Sequence, residues 1–230
     1  MNKPINYKDQ FKQFEINVNF AARTWHRQIQ LDKEASEDDK LREALNKAAH
    51  FWDDQRFSVG LITIITLGNI FDLNGDSSSI YKLLKAAQSD QQHFGKGELR
   101  KRKVARGCEF PELDDYVKNA FELDNVALKS ISNEIKKAKK IWSRIEPLRN
   151  KIYAHNGLLS EEQRSELYSA VNISDINNIL QILLNTSNAL WQAEQNGHKP
   201  NFASDHTQPI NWAKKDIEEL KSSLLYSPSI

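Results

Sequence analysis

"IWSRIEPLRNKIYAHN", residues 141–156, decides how the chain is read. At about 100° of rotation per residue, Ile141, Ile145, Leu148 and Ile152 fall within a band of roughly 60°, the buried stripe of an amphipathic helix. His155 lands on the edge of that stripe, Arg149 lies on one flank with Tyr153, and Asn150 points to the opposite side. Pro147 interrupts the pattern, because it has no N–H for the carbonyl of Ser143, and a kink is expected there. A regular helix separates Arg149 from His155 by about 120° of rotation and roughly 9 Å of rise, so it does not bring both onto one phosphate-sized group. Either the helix ends at Asn156-Gly157, a C-cap pair that lets His155 turn, or a second copy of the chain completes the set.

Outward from this stretch the period stays helical. An amphipathic pattern runs from Tyr7 to Lys33, and Ser36 is the expected N-cap of a second helix, Glu37 to Phe71, bent near Asp53-Asp54-Gln55. The apolar run "FSVGLITIITLGNIF", residues 57–71, is shorter than a membrane span of about 20 residues and reads as a buried core helix, with Leu61, Ile64, Ile65 and Phe71 in the core. Turn formers at "DLNGDSSS" end it. A short helix from Ser79 to Ser89 follows, then the basic run "GKGELRKRKVARG" and a turn at Pro111. Asp114 to Tyr153 forms one long helix or two joined ones. The last two helices span Ser174 to Gln195 and Pro209 to Leu225, with the loop "NGHKPNFASDHT" between them. No segment alternates at period two, so an all-α bundle is expected, with residues 1–230 as a single domain.

Composition agrees with a folded helical chain. Of 230 residues 39% are hydrophobic and 27% charged, and only eight glycines and six prolines are present, too few for a turn-rich all-β design. The single cysteine, Cys108, makes no internal disulfide and no zinc cluster, and the opening "MNKPINYKDQ" has no apolar core of a leader, so a cytoplasmic location is expected. Asp72, Asn74 and Asp76 resemble the start of a calcium loop, but Gly75 is at the fourth place rather than the sixth and Leu83 occupies the closing glutamate position. "GKGELR" lacks the preceding strand of a phosphate-cradling loop. Neither a metal nor another cofactor is expected.

Net charge is only +1, yet its placement is uneven. From Asp32 to Asp54 eight acids face four bases, whereas Lys129 to Lys151 holds eight lysines and arginines against Glu134 and Glu146. The segment leading into the opening stretch can therefore steer a polyanion. A second basic run, Arg100 to Arg106, reads as a phosphate contact or as a solvated helix face.

Beside those eight bases, Arg149, Asn150 and His155 suggest chemistry. A histidine with an ordinary pKa near 6.5 exchanges protons at neutral pH, an arginine can brace a pentavalent phosphate, and an asparagine can orient either. These are the parts that RNA cleavage without metal requires, since the 2′-hydroxyl supplies the nucleophile. Taken singly, His155 also reads as a helix-end histidine favoured by the helix dipole, and Arg149 as a surface ion-pair partner.

"RNKIYAH" resembles the R-x(4-6)-H motif of the HEPN superfamily of small helical domains, and "LRNKIYAHN" with "ITLGNIFD" and "SSSIYKLLKAA" looks like its AbiU-type abortive-infection branch. Asn69 stands where that branch favours arginine, and Gly157 where some HEPN toxins carry a tyrosine. The resemblance covers roughly residues 51–191 and implies a HEPN-like helical bundle with additional N- and C-terminal helices. It further implies a homodimer whose facing motif helices form one RNase site that leaves a cyclic phosphate, in antiviral defence or as a toxin with an antitoxin or regulatory partner. In that reading Arg149, Asn150 and His155 are catalytic, and Lys140, Arg144, Lys151 and Tyr153 bind RNA, Tyr153 by shaping the site or stacking a base. No membrane partner is implied. Two rival readings stand beside it: a non-catalytic RNA- or nucleotide-binding module, and a structural dimerisation or partner subunit.

Overall fold

Asn6 starts the first helix by accepting the Lys8 N–H at 2.9 Å on its side-chain oxygen. This helix, α1, spans Tyr7–Glu37 and buries Tyr7, Phe11, Phe14, Val18, Ala21, Ala22 and Trp25 along one stripe. The computed structural model describes residues 6–73, 78–108, 110–154, 160–169, 171–203 and 207–226, and among them are ten α-helices and no strand. The all-α expectation holds. After α1 come α2 (Asp39–Asn46), α3 (Ala49–Ile70), α4 (Ile80–Ser89), α5 (Lys96–Ala105) and α6 (Leu113–Asn119). The chain continues as α7 (Asn125–Leu148), α8 (Glu161–Ser169), α9 (Ile173–Asn196) and α10 (Gln208–Tyr226).

The core is built by α1, α4, α7 and α9. Ile131, Ile135, Ala138, Trp142 and Ile145 of α7 meet Ile176, Ile179, Leu180 and Leu183 of α9, all at most 1% exposed. The two helices run antiparallel. Arg144 near the end of α7 bonds Asp175 at the start of α9 at 2.7 Å, while the Phe121 N–H, just before α7, reaches the Gly197 carbonyl at the end of α9 at 2.7 Å. Gly197 closes α9 at φ +58°, and a Cβ there would lie 2.6 Å from Ala120 Cβ and 2.8 Å from Leu99 Cδ2. Only glycine meets both the left-handed turn and the close approach.

Several boundaries differ from expectation. Asp38, not Ser36, caps α2, accepting the N–H groups of Lys40 and Leu41 at 3.0 and 3.2 Å; Ser36 lies inside α1, its hydroxyl on the Lys33 carbonyl. The expected helix 37–71 breaks at Lys47–Ala48 rather than bending at 53–55. Leu41 is fully buried against Leu31 and Ile217 in a small second cluster, and that burial folds α2 back over the end of α1. The stretch 114–153, expected as one long helix or two joined ones, is two: an extended stretch after Asn119 separates them, and Asp124 restarts the second by accepting the Ala127 N–H at 2.7 Å. Helix α8 was not expected, and α5 was expected only in the solvated-face reading of the basic run.

The segment 57–71 is only half a core helix. Ile64, Leu67, Ile70 and Phe71 are buried, but Phe57 is 54% and Ile62 40% exposed, and Leu61 and Ile65 are half-buried. Helix α3 packs on α1, on α2 and on the segment after α7, and its remaining apolar side has no cover among the described residues. No helix among the described residues is long and apolar enough to cross a membrane.

The basic run 100–106 lies on α5, where Arg102 and Lys103 are spent inside the fold while Arg100, Lys101 and Arg106 stay exposed. Arg102 donates to the carbonyls of His93 and Glu194, both at 2.9 Å, and Lys103 reaches Asn196 Oδ1 at 2.8 Å. Arg100 pairs with Asp114 and Lys101 with Glu98. Arg102 and Lys103 thus close the C-terminal end of α9, where carbonyls lack helical partners and the dipole favours cations. The exposed charges of α5, Arg100, Lys101 and Arg106, agree with the solvated-face reading, while Arg102 and Lys103 depart from it.

Candidate functional site

Pro147 sits inside α7 and removes one donor from its ladder, and two residues later the winding widens: Arg149–Ala154 is a π-helical turn. A π turn closes i to i+5, a geometry frequent at functional sites. The widened turn changes who meets whom. Arg149 Nη1 donates to Asn150 Oδ1 at 2.9 Å, so Asn150 does not point away from Arg149 as the regular wheel suggests. Ile152 keeps its place in the stripe, 8% exposed, beside Leu148 at 1% and Ile145 at 0%.

The Arg149 side chain lies across α3 at Gly68. A Cβ on Gly68 would stand 2.9 Å from Arg149 Nε and 3.4 Å from its Cδ, so the missing side chain is the space the arginine occupies. Arg149 Nε is buried with no partner, which leaves a guanidinium held at Nη1 with a donor unspent. "ITLGNIFD" and "LRNKIYAHN" are therefore in direct contact. The sequence signal was a lone glycine in a run of large apolar residues, and its function became visible only with Arg149 above it.

Tyr153 is half-buried between Phe57, at 6.0 Å between ring centroids, and Tyr168 of α8, at 6.5 Å. Burial, and then the neighbouring Tyr168, pushes its hydroxyl pKa well above the ordinary tyrosine value, so it stays a neutral hydroxyl. Its ring is already engaged by two aromatic neighbours. Lys140 and Lys151 are exposed, and among the described residues neither has an acidic partner. Arg144 is tied to Asp175, a residue the sequence reading did not single out. Lys137 pairs with Glu134 and Lys139 with Glu146. What remains is an exposed stripe of Lys129, Lys136 and Lys140 within about 40° on α7, opposite its core face. His155 and the Asn156-Gly157 pair lie outside the described residues. No three His, Cys, Asp or Glu side chains gather as a metal site among the described residues.

Gly68→Ala tests the Arg149 platform. Alanine favours a helix over glycine by roughly 1 kcal/mol, so the melting temperature should hold or rise slightly. The added methyl displaces the guanidinium, and any activity that depends on Arg149 should fall about tenfold, the cost of about 1.4 kcal/mol of lost positioning. Melting curves and activity on the same preparation check it.

The searches of curated proteins and of solved structures returned no match. A profile of the HEPN AbiU2 family matches residues 5–211, nearly the whole chain, from the start of α1 into the first turn of α10. With the Arg149 turn and the Gly68 platform both inside that span, the chain belongs to the HEPN AbiU2 family.

Proposed function

We propose that the chain is a metal-independent endoribonuclease acting in phage defence by abortive infection or as a toxin, with its site completed in a homodimer. The observation that carries this reading is Arg149 lying over Gly68 and braced by Asn150, which fixes its guanidinium in advance. A donor placed in advance stabilises charge that develops only in the transition state. Membership of the family supports the defence role.

In the reaction the 2′-oxygen of a ribose attacks the adjacent phosphorus as His155 takes its proton. The bond from phosphorus to the 5′-oxygen breaks, and that oxygen receives a proton from a histidinium. A 2′,3′-cyclic phosphate and a 5′-hydroxyl result. Arg149 faces the phosphoryl oxygens as they gain charge, and Asn150 orients the guanidinium. Lys140 and Lys151 attract the RNA backbone, with Arg144 at the edge of the same surface and Tyr153 shaping its wall.

The apolar surface that α3 and α8 leave uncovered supports the dimer. Phe57, Ile62 and Tyr168 are 40–54% exposed, and Phe57 and Tyr168 flank Tyr153 four residues after Arg149. Apolar surface around a polar site is where a partner docks. A second copy would set two such turns face to face, which a single Arg149–His155 span needs.

Cellular RNA incubated with the purified protein in EDTA should be cut to fragments ending in cyclic phosphate, and His155→Ala should slow this at least a hundredfold. Equal cleavage by both proteins removes His155 from the mechanism. The exposed lysine stripe of α7 favours a second reading, a module that holds RNA or a nucleotide without cutting it. Salt-sensitive RNA binding with no cleavage under any condition selects that reading.

A further inference from the structure

A second concave region lies toward the other end of α9. A cavity of about 490 Å³ opens between α1, the C-terminal half of α9 and the start of α10, lined by Glu15, Asn19, Asn188, Trp191 and Gln208 among others. A smaller cavity of about 350 Å³ shares Asn188 and Gln192 with it and adds His198 and Lys199. Both volumes fall in the range of small-molecule sites. Asp175, which anchors the motif end of α7, precedes Asn188 by about 20 Å of helix, so this groove is not part of the Arg149 site.

The lining sets what fits. Trp191 is 37% exposed and offers a flat apolar surface. Among the described residues the side-chain amides of Asn19, Asn188 and Gln208 have no hydrogen-bond partner. Glu15 supplies only acceptors, and no lysine, arginine or histidine lines the larger cavity. Burial, and then the charge of Glu194, raises the Glu15 pKa, as expected for a carboxylate without a cation beside it. Positive groups, His198 and Lys199, appear only in the adjoining cavity. The larger space therefore suits a planar group rich in N–H donors, and the smaller one suits an anion attached to it.

We propose that the two cavities together bind a guanine nucleotide. The base stacks on Trp191, and its N1–H and 2-amino group, two adjacent donors, meet the two oxygens of Glu15. The O6 and N7 acceptors take amide N–H groups, the ribose lies over Asn188 and Gln192, and the phosphate reaches Lys199. Adenine turns an acceptor, N1, toward the carboxylate in the same pose and is rejected. The ligand is a free nucleotide or a guanosine unit of an RNA, both of which carry these groups. This site stands whether or not the chain cleaves RNA, because its readout is binding.

Calorimetric titration of the full-length protein with GMP, AMP and guanosine tests it, with circular dichroism confirming the fold of each variant. GMP should saturate a single site, with AMP at least tenfold weaker and quenching of tryptophan fluorescence that Trp191→Phe removes. Glu15→Gln, which keeps the side-chain shape, should cost GMP at least tenfold, and Lys199→Ala should weaken GMP while sparing guanosine. Competition by the dinucleotide GpU assigns the site to guanosine units in RNA, and its absence to the free nucleotide. No saturation by GMP at millimolar concentration, AMP binding as tight as GMP, or indifference to Glu15→Gln overturns the proposal.

Discussion

Arg149→Ala is expected to lower RNA cleavage by about two to three orders of magnitude with little change in melting temperature. Removing one preorganised donor to a developing oxyanion costs about 2.7–4 kcal/mol of transition-state stabilisation. Stability should barely respond: the lost Nη1 bond to Asn150 is a half-buried contact worth about 1 kcal/mol. The same substitution removes the orphaned Nε, whose buried donor is itself unfavourable. Arg149→Lys should not restore activity, because an ammonium lacks the planar fork that meets both Asn150 and a phosphoryl oxygen. Initial rates on a fluorogenic RNA, with melting curves alongside, decide it. A fall in melting temperature as large as that of a core deletion would make Arg149 a packing residue instead.

The largest loss of stability is expected at Trp142. Its side chain is 1% exposed and stacks on Phe71 at 5.8 Å between centroids and 20° between planes. Trp142→Ala deletes the largest fully buried side chain of the chain's described residues and leaves a cavity, a change that costs about 3–5 kcal/mol. For a domain of this size the midpoint should drop by on the order of 10 °C in a thermal scan. The pair also joins the end of α3 to α7, just before the turn that carries Arg149. Trp142→Phe, which keeps a ring against Phe71, should retain most of the stability and most of the cleavage. A loss below about 1 kcal/mol for the alanine variant would mean that the core collapses around the gap.

Much of the architecture was legible because helical period is a property of neighbours along the chain. The stripe through Ile145, Leu148 and Ile152, the termini of α4, α9 and α10 to within a residue or two, and the absence of strands all follow from local spacing and turn formers. The R-x5-H spacing and the "ITLGNIFD" segment were likewise enough to indicate the family. Caps were less legible: Ser36 and Asp38 are equally good candidates on paper, and burial of Leu41 of α2 against Ile217 of the distant α10 selects Asp38.

What only the tertiary structure decided is which surface each helix spends and on what. Arg102 looks like a phosphate ligand until α9, 92 residues further on, presents the carbonyl of Glu194 to it. Phe57 and Ile62 look like core until α3 is seen to lie at the edge of the bundle. Asn150 joins Arg149 because the π turn after Pro147 rotates less per residue than the wheel assumes, and Gly68 matters because a guanidinium crosses it. Periodicity states that a face will be covered; contacts between residues far apart in sequence decide by what, and those depend on the packing of the whole bundle.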